Sequence, residues 1–164
     1  MLRTMTRNKE IPSFFGQIKL KGEKLIIHQT NGETPQQYYK HENGELWLGD
    51  SIKWLKTLKS KSVDLIFADS PSNIKKADWD TFESQEEYIK WSMLWIEQVA
   101  RVLKDTGTLY ICGFSEILAD LKHPASKYFK TCRWIVWHYK NKANLGNDWG
   151  RSHESILHFR KTKD

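Results

Sequence analysis

Two hydrophobic periods alternate along this chain from Gly44 onward. Short runs rich in β-branched and aromatic residues, Glu45–Leu48, Val63–Ala68, Thr108–Cys112, Thr131–Tyr139 and Ser155–Arg160, have the composition and length of strands. Between them Ile52, Leu55 and Leu58, and later Tyr88, Trp91, Trp95, Val99 and Val102, recur every three or four residues, and each set marks the apolar face of a helix. Polar punctuation agrees with these limits. Ser51 is placed to cap the first helix. Ser84-Gln85-Glu86-Glu87 offers a serine cap with Glu87 in the capping-box position, so the second helix runs from Gln85 to Leu103 and Gly107 ends it. A short helix over Ser115–Leu121 follows, and Pro124 starts another helical piece. The succession is β-α-β, which predicts an α/β fold. Trp91 and Trp95 lie in a wide apolar stripe and read as packing against the sheet, not as a stacking platform.

One run does more than fill a core. Val63-Asp64-Leu65-Ile66-Phe67-Ala68 stops abruptly at Asp69-Ser70-Pro71-Ser72-Asn73, an acid, a proline and small polar residues. In open α/β sheets ligands gather beyond the carboxyl ends of the strands, so Asp69 to Asn73 is the first place to look for chemistry. Taken alone, the same residues also make an ordinary turn, because Asp, Ser, Pro and Asn all favour turns.

Composition narrows the class. With 164 residues, 39% apolar and eight Trp, the chain has the material for one folded domain. A net charge of +6 and a pI near 9.2 suit a polyanionic partner. Cys112 and Cys132, the only cysteines, fall inside predicted strands and read as small buried thiols in a reducing compartment. No metal site has the ligands it would need. There is no signal peptide and no apolar stretch of about 18 residues, so the expected location is the cytoplasm, without membrane contact. Residues Met1–Glu42 read as a basic arm or small extension, with an alternating piece at Phe14–Ile27 that suggests a hairpin around Gly22. Its Lys19, Lys21, Lys24 and Lys40 are of a type that contacts phosphates, but they are not clustered with stacking aromatics, and a solvated surface is the preferred reading. Residues 43–164 carry the main fold.

Several segments then appear in a telling order: Leu46-Trp47-Leu48-Gly49-Asp50-Ser51, Val63 to Asn73, Asp78-Trp79-Asp80, and Arg101-Val102-Leu103-Lys104-Asp105-Thr106-Gly107-Thr108-Leu109-Tyr110. Together they resemble the opening of a DNA amino-methyltransferase of the permuted (β) class, whose catalytic Asp-Pro-Pro-Tyr or Ser-Pro-Pro-Tyr motif precedes the Gly-rich cofactor loop. The resemblance spans Gly44 to Lys161. It implies a Rossmann-like sheet dependent on S-adenosylmethionine, with flanking helices and a terminal antiparallel strand pair. It also implies methyl transfer to the N6 of adenine or N4 of cytosine in a flipped base, the DNA methylation of restriction-modification systems.

Carried over residue by residue, the resemblance places Asp69, Ser70, Pro71 and Ser72 at the catalytic motif, and Asp50 with Asp69 at the cofactor. Asn73 and Trp79 stand beside the catalytic turn and are candidates to contact the nucleic acid. The loop from Lys140 to Arg151 faces the target nucleotide in the family, which makes Lys140, Lys142, Trp149 and Arg151 candidates to hold DNA phosphates and a splayed base. On the residues alone, Asp50 also reads as a helix cap beside Ser51, and the loop as a flexible hairpin with Trp149 folded back on the sheet.

The implied chemistry explains the residue types. An exocyclic amine is a poor nucleophile because its lone pair is delocalised into the base. Hydrogen bonds from its N–H groups to a carboxylate and a main-chain carbonyl localise that pair on nitrogen, so the protein supplies positioning and electrostatics without a covalent intermediate. Asp69 is the matching carboxylate, and the Ser70 carbonyl stands in the place of the family's first proline. Two departures follow. Ser70 lacks the fixed φ of proline, and Ser72 cannot stack on the base, a contact worth about 1–3 kcal/mol. Trp79 or Trp149 would have to substitute.

The Phe-x-Gly-x-Gly loop and the acidic ribose-binding position expected downstream do not occur before Asp164. The expected fold is therefore an incomplete methyltransferase sheet with an edge strand at Glu45, central strands at Val63 and Thr108, and the antiparallel pair. Three outcomes stand open: the Glu45 strand pairs differently, a second polypeptide supplies the Gly-rich loop and target-recognition region, or the chain is a remnant with an exposed edge. The expected function is site-specific DNA amino-methylation, whole or as the catalytic-motif half. The alternative is a non-catalytic nucleic-acid-binding or assembly remnant of such an enzyme. A protein-amide methyltransferase is disfavoured, because that family carries its Gly-rich loop ahead of the catalytic motif and nothing like it precedes Asp69.

Overall fold

The structure, a computed structural model, describes residues 34–73, 80–140 and 152–163. Its elements are β1 (Gln36–His41), β2 (Gly44–Leu48), α1 (Ser51–Thr57), β3 (Val63–Asp69), α2 (Gln85–Val102), β4 (Leu103–Gly113), α3 (Ser115–Ala125), a 3-10 turn (Ser126–Tyr128), β5 (Thr131–His138) and β6 (His153–Arg160). Four strands form one sheet in the order β3-β4-β6-β5. β3 and β4 are parallel, whereas β6 runs antiparallel to both β4 and β5. This is the expected α/β sheet with its terminal antiparallel pair. β3, expected to be central, lies at an edge of it.

The Glu45 strand pairs differently from a member of that sheet. β2 forms a separate antiparallel hairpin with β1, in register from Gln36↔Leu48 to His41↔Gly44. β1 went unrecognised because all six of its residues are exposed and show no apolar alternation. The ladder crosses the boundary expected at Glu42, and the hairpin expected around Gly22 lies outside the described residues. Gly49 has φ +145°, and a Cβ there would lie 2.6 Å from Pro35 Cα, so glycine lets β2 leave the hairpin against the chain entering it.

One face of the four-stranded sheet holds the core. Leu109, Ile111, Leu157 and Phe159 are fully buried beneath Leu55 of α1, Trp95, Ile96 and Val99 of α2, and Leu118 and Leu121 of α3. Fully burying side chains of this size stabilises the fold by about 1.5–3 kcal/mol each. Of the expected stripe, Tyr88, Trp95, Val99 and Val102 are buried and Trp91 is partly buried. Ser84 caps α2 as expected, accepting from Glu87 N at 3.1 Å. None of the described helices is long and apolar enough to cross a membrane.

Other expected boundaries shift for local reasons. Asp50, not Ser51, caps α1, its Oδ1 accepting from the N–H of Ile52 (2.8 Å) and Lys53 (2.9 Å). α2 stops at Val102, and Gly107 lies inside β4, where the register slips between Val63↔Leu103 and Leu65↔Thr108. A Cβ on Gly107 would sit 3.0 Å from Lys104 O, so the glycine serves this close approach and does not end the helix. Pro124 falls in the last turn of α3, where its φ suits the helix and its missing N–H costs one terminal bond. Cys112 and Cys132 are free but half-buried, less enclosed than expected. The Arg101 guanidinium donates to the carbonyls of Leu55 (2.8 Å) and Leu58 (2.9 Å) at the end of α1. The next backbone bonds, Lys61 N to Arg101 O and Ser62 N to Val102 O, fix where β3 begins.

The opposite face carries Leu65, Phe67 and Asp69 of β3 beside Thr108, Tyr110 and Cys112 of β4, by strand alternation and register. Tyr110 stacks on His158 with ring centroids 4.4 Å apart. Burial, assisted by Arg160 and Arg133, holds the His158 imidazole below its usual 6.5. The folded state therefore prefers the neutral ring. The associated stability is complete above the unfolded value and is lost as pH falls toward the folded one. Thermal melts should show Tm declining from about pH 7.5 to about pH 5.5, and declining less steeply in His158→Phe.

Candidate active site

β3 delivers Asp69 to its carboxyl end, where the residue is exposed, and Ser70 to Asn73 follow half-buried. The parallel register sets Asp69 beside Cys112, and the pairing of Gly113 with Ser155 brings the neighbouring Glu154 to the same end. Burial pushes the Cys112 thiol up, and the negative charges of Asp69 and Glu154 push it further.

The loop after Asp69 is held from the side. Oδ1 of Asp80, a residue only 1% exposed, accepts from Ser72 N at 2.6 Å and Asn73 N at 2.9 Å. Asn73 has φ +52°, a left-handed conformation that Asn tolerates better than most residues. Its Oδ1 accepts from Phe82 N at 3.0 Å, and its Nδ2 donates to Gln85 Oε1 at 3.4 Å. Beneath the loop the buried Tyr88 places its hydroxyl 3.4 Å from Ser70 Oγ, and Phe82 packs against Tyr88 and Trp91 at 5.2 Å. A serine at position 70 thus finds a polar neighbour that a proline could not use.

The remaining candidates divide. Asp50 caps α1 through Oδ1. Beside it, Pro35, Trp47, Gly49, Ser51 and Trp54 line a cleft of about 190 Å³, smaller than the roughly 300–1,000 Å³ typical of ligand pockets. Asp50 is not among the residues that line it, and the cleft does not enclose a cofactor. Lys140 is exposed just beyond β5. Trp79, Lys142, Trp149 and Arg151 lie outside the described residues. Among the described residues no group of His, Cys, Asp and Glu could hold a metal. The sequence reading missed three neighbours of the site: the Asp80 carboxylate, the Tyr88 hydroxyl and Glu154. In the sequence nothing marks the Asp80 of Asp78-Trp79-Asp80 as buried, and Tyr88 falls within the apolar stripe of α2.

Residues 63–164, which include this loop and the whole four-stranded sheet, match the family described as DNA methylase. The chain belongs to the DNA methylase family. It is 34% identical over 119 residues to the type II methyltransferase M.HpaI of Haemophilus parainfluenzae, covering 68% of this chain and 37% of that protein. With the DNA adenine methyltransferase YhdJ of Escherichia coli K12 it shares 35% identity over 112 residues, 66% of this chain and 38% of YhdJ. The fold is similar to that of the PvuII cytosine-N4-specific DNA methyltransferase, with a TM-score of 0.55 at 18% identity over 70% of this chain and 48% of that one. This DNA methylase chain therefore spans half or less of the length of these relatives, and the resemblance first drawn from its motifs is borne out.

Proposed function

We propose that this chain is the catalytic-loop half of a DNA amino-methyltransferase acting on adenine N6 or cytosine N4, completed by a second polypeptide. The observation that carries the reading is Asp69, an exposed carboxylate at the carboxyl end of β3 with the Ser70 carbonyl next to it in the chain. M.HpaI and YhdJ are named as methyltransferases, and YhdJ as one acting on DNA adenine, which supports DNA as the substrate.

In this reading Asp69 and the Ser70 carbonyl accept the two N–H groups of the target amine. These bonds keep the nitrogen lone pair out of the ring and aim it away from the loop, and Asp69 is the nearest base for the proton the nitrogen sheds. S-adenosylmethionine, when bound, supplies an electrophilic methyl group on a sulfonium. Asp50 and Asp69 are the residues of this chain that would hold it.

Two observations support a second polypeptide that carries the Gly-rich loop and target-recognition region. The outer edge of β3 has no partner strand among the described residues, and Leu65 of that strand, on the sheet face away from the helices, is 55% exposed. An open apolar edge of this kind is a pairing site. The test is reconstitution with a Gly-rich-loop polypeptide supplied in trans, followed by transfer of labelled methyl to DNA. Association of the two polypeptides without any methyl transfer would count against the reading. With Asp50 and the Asp69 loop as the chain's candidate contacts in this reading, calorimetry on the isolated chain should give a Kd for S-adenosylmethionine weaker than about 0.1 mM. Low-micromolar binding would show that the site is complete in this chain.

A further inference from the structure

We propose that Asp80 is the positioning residue of the catalytic loop: its buried carboxylate gathers the backbone amides of Ser72 and Asn73 and so sets the direction in which Asp69 and the Ser70 carbonyl face the target amine. The proposal rests on the reading of Asp69 as the amine acceptor.

Among the described residues Asp80 is the only charged side chain in the buried set. A carboxylate is strongly disfavoured in such surroundings unless hydrogen-bond donors converge on it. Two do so here on one oxygen, from consecutive residues, at 2.6 and 2.9 Å. Consecutive N–H groups can converge on a single anion when the backbone passes through a left-handed residue, and Asn73 at φ +52° is that residue. The Asn73 side chain then ties the same turn to Phe82 and Gln85, at the start of α2. The loop is thus fastened at two points to the segment that leads into α2, through the Asp80 carboxylate and through the Asn73 side chain.

This fastening answers the departure at the motif. In the family pattern proline limits φ ahead of the catalytic turn. Serine stands at positions 70 and 72 here and imposes no such limit. The Asp80 contacts restrict the same stretch from outside, through main-chain donors that do not depend on the identity of the side chains at 72 and 73. The physical requirement is a fixed Ser70 carbonyl, and the polar clamp meets it without a proline ring at position 70.

Amide hydrogen exchange on the full chain, followed by NMR, tests this without any need for catalysis. In Asp80→Ala the amides of Ser72 and Asn73 should exchange about tenfold faster or more, while those of β4 keep their protection. Asp80→Asn retains a carbonyl oxygen at the same place and should restore part of the protection. In the reconstituted enzyme Asp80→Ala should lower kcat about a hundredfold, as expected for a misplaced reacting group, with KM for DNA changed less than about twofold. Unchanged exchange at both amides in Asp80→Ala would overturn the proposal. If that variant does not fold, Asp80→Asn decides: the Ser72 and Asn73 amide protons should shift upfield together, and no shift at either would overturn it. A response at the two amides combined with full activity of an Asp69 variant would leave the clamp standing and remove the active-site reading instead.

Discussion

Asp69→Ala in the reconstituted enzyme is expected to lower the rate of methyl transfer about a hundredfold or more, because removing one preorganised electrostatic contact costs roughly 3–4 kcal/mol of transition-state stabilisation. The size follows from the site. Asp69 is the exposed carboxylate at the end of β3, and the other nearby acids have different tasks. Asp80 is buried and bonded to the backbone. Glu154 lies at the start of β6, where its Oε1 accepts from the Tyr139 hydroxyl at 3.4 Å. Single-turnover kinetics with labelled methyl donor separate the chemical step from binding. An Asp69→Ala enzyme that keeps its rate would show that the target amine is held elsewhere. Activity that appears only after Ser70 and Ser72 are changed to Pro and Tyr would favour the non-catalytic reading, with Asp69 a survivor of a lost reaction.

Much of this arrangement was legible in the sequence because it rests on local pattern. β3, α2, β5 and β6 each announce themselves through apolar period or cap chemistry, and the position of Asp69 follows from the abrupt end of an apolar run. What escaped rests on long-range pairing. β1 has no buried face to impose alternation, so only its ladder with β2 reveals it. The place of Gly107 depends on a register slip between β3 and β4 that no window of neighbouring residues encodes. Asp80 belongs to the same class: an Asp in a polar segment reads as a solvated turn residue until the fold buries it against amides seven and eight positions earlier. The edge position of β3 escaped because an apolar strand reads as internal whether or not its neighbour is part of the same chain.

The asymmetry between the two faces of the sheet leads to the second large effect. Phe159 on the helix-covered face is fully buried and packs on Phe129 with ring centroids 5.1 Å apart. Phe159→Ala should therefore cost about 3–5 kcal/mol in urea unfolding of the isolated chain, the sum of lost transfer energy and the cavity left behind. That is a large share of the stability of an ordinary domain, about 5–15 kcal/mol. Leu65 is also an apolar residue of the sheet, yet on the other face and 55% exposed. In the isolated chain Leu65→Asp should change stability by no more than about 0.5 kcal/mol, because little apolar surface is withdrawn from water there. If a second polypeptide closes the β3 edge, the same substitution places a charge in the new interface and should weaken association at least about tenfold. The two variants should thus exchange ranks between the two measurements, Phe159→Ala acting on folding and Leu65→Asp on association. Association of the two polypeptides that is unaffected by Leu65→Asp would mean that the partner docks away from β3, and the sheet would have to be completed by some other route.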